Sequence, residues 1–206
     1  MYKQWLIFLL FLPVFVFGQQ HVSGGAALRD SMALAHPLDL SISYFGNSVV
    51  YPGLKFGAEY VFHSHTKAKT GHKNKLKTHQ WVAMGNAGFF WHPRNYTAFF
   101  TDFGVLYRHT GTKGFFWHMG LSPAGVMGTF FNETYDVSPE GDVTKPGLPS
   151  RWYYSPDFLA GIGHTRKKGG SAWFLNLRFD GMVTYNAALN MLASLEFGFK
   201  FNMKRK

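Results

Sequence analysis

The last extended segment of the chain alternates strictly between apolar and polar side chains. Apolar residues occupy every second position and polar or small residues lie between them: Leu195, Phe197, Phe199 and Phe201 against Ser194, Glu196, Gly198, Lys200 and Asn202. Because successive side chains of a β-strand point to opposite faces, this segment predicts a strand with one apolar and one charged face. A soluble sandwich would bury the apolar face, whereas a transmembrane barrel would turn it towards lipid.

Seven earlier segments show the same alternation, which predicts about eight strands in all. They cover residues 38–45, 54–65, 79–91, 97–108, a segment beginning at 115, and residues 152–164 and 172–180. Pro123 predicts a bulge or bend in the fifth strand, with extended chain continuing towards Tyr135. Gly, Pro and Asn separate the segments, as tight reversals require. The sequence therefore predicts an all-β, antiparallel up-and-down transmembrane β-barrel.

The first 18 residues have the features of a secretory signal peptide. Lys3 precedes an apolar run of about 13 residues, and Gly18 ends the run before a polar start. A transmembrane helix needs roughly 17–25 residues, and Pro13 interrupts this run, so the anchor interpretation is disfavoured. We therefore predict a signal peptide over residues 1–18, an N-terminal segment over 19–36 and a barrel over 37–206, which places the protein in an outer membrane.

Composition narrows the class of function. The chain contains no cysteine, which excludes disulfides, an acyl-cysteine lipid anchor and thiolate metal sites. Loss of Lys3 with the signal peptide leaves a net charge of about +9, which favours anionic partners. For an exported protein these are the phosphates of outer-membrane lipids and lipopolysaccharide rather than nucleic acid.

Aromatic residues lie near the ends of the predicted strands, as in the interfacial girdles of membrane barrels. The residues concerned are Tyr44, Trp81, Trp91, Tyr107, Trp117 and Trp152. Ordinary core packing is the alternative interpretation of the same residues.

Ten charged residues lie on the polar faces of the predicted strands: Asp39, Lys55, Glu59, Asp102, Arg108, Asp157, Arg178, Asp180, Glu196 and Lys200. An eight-stranded barrel has room for side chains or one small ligand, but not for an open channel. Unpaired buried charges are costly, so we expect these groups to pair across strands. The set predicts a salt-bridged filling of the lumen, with a proton path or solute site as the alternative.

Two connections are long in this interpretation. Residues 66–78 contain Lys67, Lys69, Lys73, Lys75 and Lys77, which predicts either contacts with anionic lipid or a solvated loop. Residues 136–151 contain three prolines and predict an irregular exposed loop. With eight strands these connections leave opposite ends of the barrel, so either one strand is miscounted or one long connection is periplasmic.

Other site chemistry has weaker support. His63 and His65 share a predicted strand face and could meet one metal ion, but no third ligand is evident, so an inward pair of rim histidines without metal is expected. Ser64, His118 and Asp102 have the residue types that a lipid-modifying enzyme would use, although no spacing links them. No cofactor is predicted.

The alternation, the leader and the closing residues 195–201 together resemble the small eight-stranded outer-membrane barrels of Gram-negative bacteria. The resemblance covers residues 37–202. It implies a structural or adhesive role, or partnership with a larger transport or secretion complex. Two alternatives remain: a barrel enzyme that modifies lipid A or phospholipid acyl chains, and an exported soluble barrel that holds a lipophilic ligand with its apolar faces turned inward.

Overall fold

A computed structural model describes residues 38–48, 50–69, 75–93, 95–131, 135–145, 149–165, 171–185 and 188–203. The predicted signal peptide, the segment 19–36 and Lys73 lie outside the described residues. Within the described ranges, no helix is long and apolar enough to cross a membrane.

Eleven strands account for the regular structure of the described residues. They are β1 (Leu38–Asn47), β2 (Tyr51–Lys69), β3 (Lys75–His92), β4 (Tyr96–Thr110), β5 (Phe115–Phe131), β6 (Asp136–Val137), β7 (Val143–Thr144), β8 (Ser150–Tyr154), β9 (Asp157–Thr165), β10 (Ser171–Tyr185) and β11 (Ala188–Asn202). β6 and β7 form a separate two-stranded hairpin in the connection between β5 and β8.

The other nine strands form a closed antiparallel ring. Each wall strand pairs with the next along the chain, and β11 returns to pair with β1, so the sheet has no free edge. β8 and β9 are two pieces of one wall strand, since both pair with β5 on one side and β10 on the other. The predicted antiparallel barrel of about eight strands is therefore confirmed.

The wall is apolar outside and charged inside. Phe56, Trp173, Phe197 and Phe199 expose 54, 40, 46 and 47% of their surface, whereas Arg178 and Glu196 each expose 1%. This is the reverse of a soluble barrel, which buries its apolar face. The alternative of a soluble barrel with its apolar faces turned inward is therefore wrong.

Proline shapes the wall at two neighbouring places. Phe103 pairs with Ala124 and Val105 pairs with Leu121, so Ser122 and Pro123 together oppose a single residue of β4. The predicted irregularity at Pro123 is thus a β-bulge, and β5 continues beyond it to Phe131. The predicted sixth strand is not continuous, because it breaks into β8 and β9 at Pro156, which has no backbone N–H to donate.

A second bulge, in β2, changes which of its side chains face outward. Val61 pairs with Val82 and His63 pairs with Trp81, which leaves Phe62 as an extra residue. Alternation therefore shifts by one position, and His63 joins the outer face that Trp81 occupies. The prediction that His63 and His65 point inward is wrong for this reason, and both are exposed.

The two predicted long connections do leave opposite ends of the barrel. We call the end that carries the connections 70–74, 111–114 and 166–170 the basic end, and the end that carries 48–50, 93–95, 132–149 and 186–187 the loop end. The first connection is shorter than predicted, because β2 and β3 remain paired as far as Lys69 and Lys75.

Candidate functional site

All ten charged residues that the sequence places on the inner faces take part in ion pairs. The pairs form three groups inside the barrel: Arg178 with Asp102, Asp157 and Asp180; Lys55 with Glu196; and Arg108 and Lys200 with Glu59 and Asp39. Every member of these pairs lies on a wall strand. The pairing of the strands therefore fixes where the side chains lie relative to one another.

The Arg178 group is the most enclosed. Its guanidinium lies 2.8 Å from Asp102, 2.9 Å from Asp157 and 2.7 Å from Asp180. Asn86 Nδ2 and Ser122 Oγ donate further hydrogen bonds to Asp102, at 2.6 and 3.3 Å. A planar guanidinium presents donors in several directions at once, which is why one arginine can hold three carboxylates.

The Lys55 group extends into a hydrogen-bonded chain. Lys55 Nζ lies 2.6 Å from Glu196, which also accepts from Ser43 Oγ at 2.6 Å and from Asn176 Nδ2 at 3.1 Å. Because Asn176 donates to Glu196 through its nitrogen, its oxygen accepts from His118 Nε2 at 2.8 Å. This chain of hydrogen bonds assigns the Nε2–H tautomer to His118, which is almost inaccessible to solvent.

The Arg108 group lies nearer the basic end. Glu59 accepts from Arg108 through one oxygen and from Lys200 through the other, the latter at 2.5 Å. Asp39 is a more distant partner, 3.8 Å from Arg108. The Lys200 ammonium also lies 4.9 Å from the ring centre of Phe174, so the charge is held by a carboxylate and an aromatic face together.

An apolar layer inside the barrel at the loop end is a feature that the alternation did not predict. Its buried members point inward from six wall strands: Phe45, Phe90, Ala98, Phe100, Met127, Tyr153 and Met182. The Arg178 guanidinium lies 5.2 Å from the ring centre of Phe100 and so covers the inner side of this layer. The doubled aromatics at 89–90, 99–100 and 153–154 are the signal that could have revealed it, because both faces of the strand are apolar there.

The residues considered for a lipid-modifying enzyme do not meet. Ser64 is exposed beyond the bulge of β2, whereas His118 and Asp102 are buried in the lumen. His118 is bonded to Asn176, and Asp102 belongs to the Arg178 group. Among the described residues, no group of three or more histidines and carboxylates is arranged to hold a metal ion.

Outside the barrel, the bulge of β2 aligns three histidines. His65 lies directly opposite His79, and His79 directly opposite His109, on three adjacent strands. The Nδ1 atoms of His79 and His109 are 3.4 Å apart, and His79 also contacts the hydroxyl of Tyr107. We call His65, His79 and His109 the histidine row. His79 and His109 were not predicted as site residues, since register between strands is not visible in either segment alone.

The predicted lysines continue this outer surface. Lys67 and Lys77 are exposed and lie directly opposite each other, one row beyond the histidine row. The backbones of Lys69 and Lys75 are paired in the next such row. On the other side, the histidine row adjoins an aromatic cluster, with ring centres 5.3 Å apart for Trp81 and Tyr107 and 5.7 Å apart for His109 and Trp117.

No protein-family model matches the chain, and no curated protein matches it. Solved structures that resemble it include Ail, the attachment invasion locus protein of Yersinia pestis, at 11% identity and a TM-score of 0.37, covering 80% of this chain and 93% of that one. Ail in complex with the heparin analogue sucrose octasulfate has 12% identity and a TM-score of 0.34, covering 80% of this chain and 94% of that one. The beta domain of the Bordetella autotransporter BrkA has 8% identity and a TM-score of 0.27, covering 81% of this chain and 100% of that one.

The chain's own geometry defines its fold. The ring is closed, the outer face is apolar, and the charged residues of the inner face are paired. The chain therefore has the architecture of a small outer-membrane β-barrel.

Proposed function

We propose that the protein is exported through residues 1–18 and resides in the outer membrane as a non-enzymatic, non-conducting barrel. Its role is structural or adhesive, or that of an accessory to a larger transport or secretion complex. The observation that carries the proposal is the reversed burial of the wall, in which Phe197 and Phe199 face outward while Glu196 and Lys200, which flank them in the sequence, are buried. Full burial of a large apolar side chain is worth about 1.5–3 kcal/mol, so a belt of this size favours lipid over water.

The filling of the lumen supports a structural role over a solute path. Three ion-paired groups and the apolar layer succeed one another along the inside of the wall. A path for ions would need solvated charges, whereas Arg178 and Glu196 are almost inaccessible. The paired charges hold strands together, and the apolar layer at the loop end excludes water.

The partners we propose are the lipids of the outer membrane and lipopolysaccharide. The lysines of the β2–β3 hairpin, together with Lys73 in the adjoining connection, are the proposed contacts with anionic headgroups. At the loop end, the β6–β7 hairpin exposes Val137, Val143 and the neighbouring Tyr135. Exposed apolar side chains on this hairpin suit contact with another protein, which supports the adhesive or accessory role.

The proposal is tested by refolding the protein in phosphatidylcholine vesicles. A barrel of this kind should migrate differently in detergent gels before and after boiling, and carbonate should not extract it from the vesicles. In planar bilayers it should give no stepwise conductance. Extraction by carbonate would contradict the membrane assignment, and reproducible ion conductance would contradict the filled lumen.

A further inference from the structure

The histidine row and the lysine pair beyond it form one continuous basic surface on the outer side of the wall. Lys67 and Lys77 lie directly opposite each other, and His65, His79 and His109 occupy the neighbouring row on the same face. Like charges directly opposite on paired strands destabilise a sheet. The β2–β3 hairpin therefore carries a repulsion that a bound anion would relieve.

The aromatic neighbours indicate where this anion would come from. His109 packs against Trp117, and Trp117 packs in turn against Tyr107, all on the outward, lipid-facing side. Trp and Tyr collect at the level of the lipid headgroups in membrane proteins. A basic surface immediately beyond such a cluster lies at the depth of headgroup phosphates rather than in bulk water.

We propose that Lys67, Lys77 and the histidine row bind the phosphate of an anionic lipid, and that this binding strengthens as the pH falls. The proposal rests on the membrane location proposed above and specifies the chemistry of the lipid contact. Ammonium and imidazolium groups donate charge-assisted hydrogen bonds to phosphate oxygens, and a protonated row can supply several donors at once.

Proton uptake follows from the charges around His79. Burial lowers the pKa of His79, and repulsion from His109, Lys67, His65 and Lys77 lowers it further. Those are the groups that face it from β2, β3 and β4, with Tyr107 as its hydrogen-bonding neighbour. A phosphate favours the charged imidazolium and so raises the pKa of His79 in the complex. Binding therefore takes up a proton, and the affinity for the lipid rises as the pH falls towards the pKa that His79 has in the free protein.

The test uses the refolded full-length barrel in neutral maltoside micelles, titrated with dihexanoyl phosphatidylglycerol at pH 8 and pH 6. This probe is a phosphodiester, so its own charge is constant over that range. We expect the affinity to increase about fivefold from pH 8 to pH 6, from one added charge. The double substitution His79→Asn with His109→Asn should abolish this increase.

The lysines are tested separately. Lys67→Gln with Lys77→Gln should weaken binding about 25-fold at both pH values, since each charge near a lipid surface contributes about fivefold. The matched controls are at the loop end: His92→Asn, whose ring stacks between Tyr51 and Tyr96, and Lys145→Gln, which lies over Tyr135. Both controls should leave affinity and its pH dependence unchanged.

Three results would overturn the inference. Equal affinity for dihexanoyl phosphatidylcholine would show that charge is not recognised, and equal affinity for inorganic phosphate would indicate a free-anion site. Unchanged pH dependence in the double histidine variant would remove the row from the site. None of these bears on membrane residence, which the carbonate and gel experiments test independently.

Discussion

Lys55 Nζ lies 2.6 Å from Glu196 Oε2, although the two residues are separated by 141 positions in the sequence. Lys55 belongs to β2 and Glu196 to β11, and these strands are the two neighbours of β1. The pair therefore reaches across β1 at the point where the last strand closes the ring. Ser43 of β1 and Asn176 of β10 donate to the same carboxylate, so four strands meet at Glu196.

We predict that Lys55→Met destabilises the barrel by about 3–5 kcal/mol, because it leaves a buried carboxylate without its counter-charge. Lys55→Met combined with Glu196→Met should cost much less, since neither charge then remains. Urea unfolding in lipid vesicles measures both values. Additive losses in the double variant would show that the two residues are not coupled.

Arg178→Ala removes the cation that is ion-paired with Asp102, Asp157 and Asp180. We expect a loss of more than about 3 kcal/mol in unfolding free energy and a clear fall in unfolding temperature. Planar-bilayer conductance should not change, because the apolar layer of Phe45, Phe100 and its neighbours remains. Lys145→Ala, an exposed cation, is the control. A large rise in conductance would instead identify the Arg178 group as the barrier to ions.

Gly125 lies where two wall strands approach each other closely. A Cβ atom there would lie 1.8 Å from the carbonyl oxygen of Ser155, which neither backbone can accommodate without moving. Gly125→Ala should therefore slow or prevent refolding of the barrel, measured as the heat-modifiable band in gels. At Gly111 the nearest atom is the oxygen of Phe115, at 3.7 Å, so Gly111→Ala should refold as well as the wild type. Equal refolding of both variants would contradict the close approach of Gly125 to Ser155.

Leu177 lies near the middle of β10 on the outer face, and Leu189 lies at the loop end of β11 on the same face. The cost of a charge on a lipid-facing strand depends on its depth in the bilayer. Leu177→Arg should therefore cost about 2–4 kcal/mol and Leu189→Arg about 0–1 kcal/mol. Unfolding in phosphatidylcholine vesicles gives the two values. Equal costs would show that the two positions do not differ in depth.

Much of the wall could be predicted from the sequence, because strand alternation is a local property. Glu196 and Lys200 were placed on the inner face by counting alone, and the structure has them buried there. The same counting failed at His63 and His65. A bulge depends on the register with the neighbouring strand, and only the unbroken apolar run of Tyr60, Val61 and Phe62 hints that alternation stops there.

The inner apolar layer was missed for a related reason. Phe45, Phe90 and Phe100 come from three strands, and each follows an apolar outer-facing residue, so the local pattern no longer separates the two faces. Their shared position at the loop end depends on how the strands are staggered around the ring, which no single segment encodes.

The sequence by itself determined which side chains face outward along most of each strand, since that depends on a period of two residues and needs no knowledge of the neighbours. Only the tertiary structure decided that Arg178 binds three carboxylates, that Lys55 meets Glu196 across β1, and that His65, His79 and His109 stand in one row. Those relationships depend on strand register, bulges and ring closure, which hydrogen bonds between distant segments establish only when the barrel is complete.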